Sequence, residues 1–179
     1  MDYVGFEPSS NVAKLARKNG IKTINKFFGT KSLTSVKNFL GKTDVIFAAN
    51  VICHVPDLLD LIKAVDKLLS KNGVFVFEEP YLGSMFEKTS YDQIYDEHIF
   101  MFSGTSVKKI FDLFDMELID LIKQETHGGS MRYVISRKKN RPINPNVKKI
   151  LTEEKKLNLD DIESCLVFKK KLWKFKKQT

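Results

Sequence analysis

Between residues 44 and 79 the chain reads strand, amphipathic helix, strand, and this order constrains its fold more than any other feature. Asp44-Val-Ile-Phe-Ala-Ala-Asn50 is a near-continuous apolar run, as expected where both faces of a parallel strand are covered. After a turn at His54-Val-Pro56-Asp57, Leu58, Leu61, Ile62, Val65, Leu68 and Leu69 recur at helical spacing. Asn72-Gly73 reads as the stop of that helix, and Val74-Phe-Val-Phe-Glu-Glu79 as the next strand, ended by Pro80. Two parallel strands cannot be joined by a tight hairpin; they need a crossover of this kind.

The alternation extends both ways. Tyr3–Glu7 reads as a strand, followed by Pro8 and a helix capped by Ser9 or Ser10 that runs to Asn19-Gly20. Ile21–Ile24 is a short strand, Phe27-Phe28-Gly29 a loop, and Leu33, Val36, Phe39 and Leu40 the apolar face of a helix closed by Gly41. Ser106–Phe114 is a further helix. Met116–Ile122 and Met131–Ser136 are two strands around the bend Thr126-His-Gly-Gly-Ser130. The pattern predicts an α/β, doubly wound, mostly parallel sheet closing in an antiparallel C-terminal strand pair with an antiparallel edge strand. Pro142 and Pro145 mark a linker, so we expect a core over 1–139 and a helical hairpin over 140–179, with helices at 147–158 and 160–177.

Composition narrows the class. The chain is 42% hydrophobic with 14 Phe, which supports a packed core. The net charge of +8 is confined to the tail: residues 137–179 hold 14 basic and five acidic side chains. Such a tail fits nucleic acid or a membrane surface, or simply a solvated helical face, which is the reading preferred here. Lys169-Lys-Lys171, Trp173, Phe175 and Lys176-Lys177 interleave charge with aromatics as stacking grooves do. Leu166, Phe168, Leu172 and Phe175, however, favour packing on another helix. No apolar run approaches the ~20 residues of a membrane span, and no signal peptide is visible. Two cysteines without a Cys-x-x-Cys, Cys53 and Cys165, point to a reducing cytoplasm and no zinc or other metal centre within the chain.

The chemistry-bearing residues cluster after the strands, where α/β folds bind ligands. Tyr95-Asp-Glu97-His98 packs a phenol, a carboxylate and an imidazole into four residues. His98 is the candidate general base, with Glu97 as its orienting group or as a ligand for a substrate hydroxyl. Glu7, at a strand end before a helix, can accept from ribose hydroxyls or simply favour the helix terminus. Phe27 and Phe28 can flank an adenine, with core packing expected of at least one. Asn50 and His54 straddle the turn after the third strand, and His127 lies in a Gly-Gly bend. Cys53 reads as a small buried side chain.

Gly5-Phe-Glu-Pro-Ser-Ser-Asn-Val-Ala13, Ala49-Asn-Val-Ile-Cys-His-Val-Pro-Asp57, Glu79-Pro-Tyr-Leu-Gly83, Tyr95-Asp-Glu-His98 and Thr126-His-Gly-Gly-Ser130 together resemble the S-adenosylmethionine-dependent sugar C-methyltransferases. The resemblance covers most of residues 3–137. It implies a class I methyltransferase (Rossmann-like) fold and methylation of a carbon on a nucleotide-linked 4-keto deoxysugar. His98 would be the base, assisted by Tyr95, Glu97 and His54. Glu7, Pro8, Phe28 and Asn50 would hold the cofactor, and Asn50, His54, His127 and Gly128 the sugar.

The departures are equally specific. The family's four-cysteine zinc domain, its first core strand and the Gly-rich cofactor loop have no counterpart, and only the opening of the C-terminal domain is present. The chain is thus expected to be a fragment truncated at the first strand, marginally stable and a weak cofactor binder by itself. Another chain or segment would complete its sheet. Its rivals are an inactive remnant or interaction module, a nucleic-acid binder acting through the tail, and methyl transfer to oxygen or nitrogen.

Overall fold

The computed structural model describes residues 2–176, with side chains through Lys174. The side chains of Phe175 and Lys176, and the whole of Lys177, fall outside the described part. The strands are β1 (Gly5–Phe6), β2 (Thr23–Ile24), β3 (Thr43–Ala49), β4 (Leu69–Pro80), β5 (Met116–Gln124) and β6 (Ser130–Arg137). The α-helices are α1 (Ser10–Lys18), α2 (Leu58–Leu68), α3 (Leu82–Lys88), α4 (Gly104–Asp112), α5 (Pro145–Lys156) and α6 (Ile162–Lys176). A long 3₁₀ segment fills Thr30–Phe39, broken at Val36, where an α-helix was expected.

The sheet is in two pieces. β1 and β2 form a parallel pair, and β3-β4-β6-β5 form a mixed sheet. β3 runs parallel to β4, and β6 runs antiparallel to both β4 and β5. The antiparallel strand therefore lies inside the sheet, with β5 at the edge, which corrects the expected edge position. The β5–β6 hairpin brings Gln124 opposite Ser130.

One helical layer spans both pieces. Leu33, Val36, Ala64 and Leu68 form a small core against which Val4, just before β1, Phe6 of β1, Ile24 of β2 and Ile46 of β3 pack. No backbone hydrogen bond joins β1 to β3 among the described residues. α2 belongs to this core and, through Leu58, Leu61, Ile62 and Val65, to the main one built on Phe75, Phe77, Tyr133 and Ile135. Each fully buried aliphatic side chain of this kind contributes about 1.5–3 kcal/mol of transfer free energy.

One local expectation fails for a physical reason. Asn72-Gly73 does not stop α2, which ends at Leu68. It lies in a bulge of β4 between the Leu69–Thr43 and Val74–Val45 pairs, where a Cβ on Gly73 would stand 2.6 Å from the Thr43 carbonyl oxygen. α3 follows Pro80 without a sequence signal of its own. Its N-cap Tyr81 makes no side-chain cap bond, so none of the usual sequence signals marks it. The first tail helix, α5, packs on β5 and α4, and its Glu154 is buried. In α6, Phe168 stacks on Phe86 of α3, centroids 4.7 Å apart. No described helix is long and apolar enough to cross a membrane.

Candidate active site

The site forms where β3 and β4 end. β3 stops at Ala49, and Asn50 turns the chain with a left-handed φ of 52° while its N–H donates to the Glu78 carbonyl. Asparagine tolerates this region better than other non-glycine residues. A short 3₁₀ turn, Ile52–His54, follows. Glu79, the last acid of β4 and fully buried, holds that turn: its Oε1 accepts from the Val51 N–H at 3.0 Å and the Ile52 N–H at 2.6 Å. In the sequence Glu79 stands out only as the end of a strand and the start of the Glu79-Pro-Tyr-Leu-Gly83 motif. Its signal is one of two adjacent acids closing an apolar strand, and an acid so placed must find donors once buried.

The loop 91–100 docks on the same turn. Ile99 and Phe100 donate their N–H groups to the Cys53 carbonyl, and His54 Nδ1 is 2.8 Å from the Glu97 carbonyl. His98 is thereby brought against His54, ring centroids 4.8 Å apart. Its Nδ1 lies 2.7 Å from the Gln93 carbonyl and its Nε2 2.8 Å from Tyr95 Oη. A carbonyl oxygen can only accept, so both neutral imidazoles carry their proton on Nδ1 and expose a bare Nε2. On His98 that lone pair receives the Tyr95 hydroxyl. The half-exposed Tyr95 hydroxyl is itself raised above its ordinary range, by partial desolvation first and then by Cys53 and Glu97.

This geometry redistributes the expected roles. The group orienting His98 is the Gln93 carbonyl, not the Glu97 carboxylate; Glu97 acts through its backbone on His54. Neutral His54 presents an acceptor, not a donor, so it can donate toward a substrate only as the imidazolium. Phe28 is packed between both cores and edge-on to Phe6, centroids 5.2 Å apart. Phe27 is the exposed ring of the pair, at 81%, and core packing thus claims the one expected to stack on a ligand. Glu7 Oε1 accepts from the Ser9 N–H at 2.7 Å, the helix-terminus role weighed above, and Asn25 ties the Glu7 and Pro8 carbonyls.

An open cleft of about 710 Å³ is lined by Pro8, Ser9, Phe27, His54, Glu97 and Ile99, among others. It joins the end of β1 to His54, which packs on His98. His127 lies on the 126–130 turn, whose Thr126 Oγ1 donates to Glu78. That places it at the same end of the sheet, but no contact links its ring to His98 or His54 among the described residues. His127 and Gly128 both have left-handed backbones, φ 51° and 75°, and the Gly128 carbonyl accepts from Lys88 Nζ.

Comparison with known proteins agrees with this architecture. Residues 1–121 match the family model described as a methyltransferase domain, and residues 125–179 that of a C-methyltransferase C-terminal domain. The chain belongs to the methyltransferase-domain family. It is similar to the C-methyltransferase NovU of Streptomyces niveus, with 27% identity over 153 residues, covering 85% of this chain and 36% of that protein. It therefore spans about a third of the length of this curated relative. Among solved structures it is similar to a SAM-dependent methyltransferase from Aquifex aeolicus, with TM-score 0.55 and 8% identity over 74% of this chain and 66% of the other. It is also similar to one from Clostridium acetobutylicum, with TM-score 0.54 and 12% identity over 77% and 76%. These likenesses establish the class I methyltransferase (Rossmann-like) fold.

Proposed function

We propose that this chain carries the proton-abstracting half of an S-adenosylmethionine-dependent C-methyltransferase acting on a nucleotide-linked keto-deoxysugar. The observation that carries this reading is the bare Nε2 of His98, held by the Gln93 carbonyl behind and the Tyr95 hydroxyl in front. The likeness to NovU supports transfer to carbon.

His98 Nε2 takes a proton from the carbon beside the sugar ketone, the general-base role that a fixed, unprotonated imidazole nitrogen can fill. The Tyr95 hydroxyl is both donor and acceptor. With the sugar in place it turns its O–H from Nε2 to the ketone oxygen, freeing the base. Once protonated, His98 Nε2–H donates back to Tyr95 Oη, and the two bonds in series strengthen the stabilisation of the enolate oxygen. Asn50 and His54 line the path of the sugar, and His127 with Gly128 stand at the same sheet end to contact it. Glu97 keeps His54 in one tautomer.

The residues at the β1 end fit the cofactor's adenosine: Glu7 keeps Oε2 available beside Pro8, and the open ring of Phe27 offers a stacking face. When bound, S-adenosylmethionine supplies an electrophilic methyl group. β1 and β3 each present an unpaired edge toward one shared core, so a strand from another segment or partner chain, laid between them, would complete the cofactor side.

Proton abstraction is tested apart from methyl transfer by following solvent deuterium into the carbon beside the ketone, with the sugar nucleotide and this chain in D₂O. Exchange lost in His98→Ala supports the reading; exchange at the buffer rate with the unaltered chain overturns it.

A further inference from the structure

The described residues place Cys53, His54 and His98 so that one ligating atom from each lies within 4.8 Å of the others. The chain has two cysteines and three histidines in all, so this cluster gathers half the thiols and most of the imidazoles at one point. The linear spacing gave no hint of it, because His98 arrives on the loop folded over the Cys53 carbonyl.

We infer that Cys53 Sγ, His54 Nε2 and His98 Nε2 form a binding site for a borderline-soft divalent cation of the zinc type. Three observations support it. Both imidazoles donate Nδ1–H to backbone carbonyls, of Glu97 and Gln93, the arrangement that fixes a histidine for ligation through Nε2. The ligand set, one thiol and two imidazoles, is that of a nitrogen–sulfur site with a fourth position open. Beside Cys53 lies the fully buried Glu79, whose carboxylate faces the thiol and whose charge a bound cation would offset.

Metal–sulfur and metal–nitrogen bonds of about 2.3 and 2.0 Å require the donors to close by about 1 Å. The surface loop 91–99, which carries His98, supplies that movement. On binding, Cys53 releases its proton to solvent, and Tyr95 yields Nε2 of His98 to the metal. The cation and the substrate proton therefore compete for one lone pair. Binding itself does not rest on the methyl-transfer reading, since it needs neither cofactor nor sugar.

The test uses Co(II) and Zn(II) salts with the purified chain. Expected are one equivalent of Co(II), a thiolate-to-cobalt charge-transfer band, and its disappearance in Cys53→Ser but not in Cys165→Ser. With Zn(II) and the unaltered chain, the imidazole nitrogen resonances of His54 and His98 should move while that of His127 stays. This readout holds even if Cys53→Ser fails to fold. No charge-transfer band, a band that depends on Cys165, or resonances that do not move or move at His127 would each overturn the inference. Deuterium exchange in metal-free protein is a separate result: it can succeed or fail without altering this one.

Discussion

The Tyr95 hydroxyl donates to Nε2 of His98 at 2.8 Å, so the candidate base of this site carries its own plug. A plug that also serves as the donor to the developing oxyanion has a testable signature. Tyr95→Phe uncovers the base but removes the donor. Deuterium exchange into the keto-sugar should fall by about 10²–10³-fold, with little change in sugar-nucleotide affinity. His98→Ala should cost about 10²–10⁴-fold. If Tyr95→Phe accelerates exchange, the hydroxyl is only a plug.

Glu154 joins three elements. Its carboxylate accepts from the Gly104 and Thr105 N–H groups at 2.6 and 2.8 Å, from Thr105 Oγ1 at 2.6 Å, and from Tyr81 Oη at 3.0 Å. An acid at a helix N-terminus is favoured by the helix dipole, and burial together with Glu154 lifts the Tyr81 hydroxyl far above its ordinary range. Glu154→Ala strands four donors. The expected loss is about 3 kcal/mol or more, with an unchanged urea m-value, read by equilibrium denaturation. Glu154→Gln keeps one acceptor oxygen and should lose less.

Gly129 has φ +128°, and a Cβ there would stand 2.6 Å from Cβ and Oγ of Ser84. Gly129→Ala therefore meets both backbone strain and α3, and should destabilise by about 1–3 kcal/mol. That corresponds to a fall in Tm of several degrees by thermal scan. Gly128→Ala meets no neighbour within 4 Å and carries only the strain of φ +75°, so it should cost less.

The acid limb of stability has one identified source. The Thr30 hydroxyl and N–H both donate to Asp60, at 2.5 and 3.0 Å, joining the 3₁₀ segment to α2. The Thr30 hydroxyl is the main cause holding the Asp60 carboxyl below its ordinary range. A carboxyl lowered on folding stabilises the protein fully above its unfolded pKa, about 3.9. That contribution disappears as the pH falls through the folded value. Asp60→Asn should flatten the stability–pH curve below about pH 4, measured by urea midpoints, and leave the slope near neutrality unchanged.

The strand–helix order from Asp44 to Glu79 made the fold class readable, because apolar runs and helical stripes survive without knowledge of partners. The loop Tyr95–His98 was readable as chemistry from its residue types, and its meeting with His54 followed from the rule that strand ends converge. What was not readable depended on partners brought together only in three dimensions. Gln93 holds His98 through a carbonyl, which any residue could supply. Phe27 and Phe28 are adjacent and alike, and only packing against Phe6 decides which is buried. The Cys53 cluster and the Glu79 bonds needed the loop to be folded back before either could be seen.

Val45 and Phe47 on β3 are 55% and 61% exposed, on a strand whose free backbone edge points toward β1. Oily, flat and unpaired, this strip is the surface on which molecules of the isolated chain would glue to one another. Samples kept without a covering strand should form oligomers that grow with concentration, and a charged residue at position 47 should keep them apart.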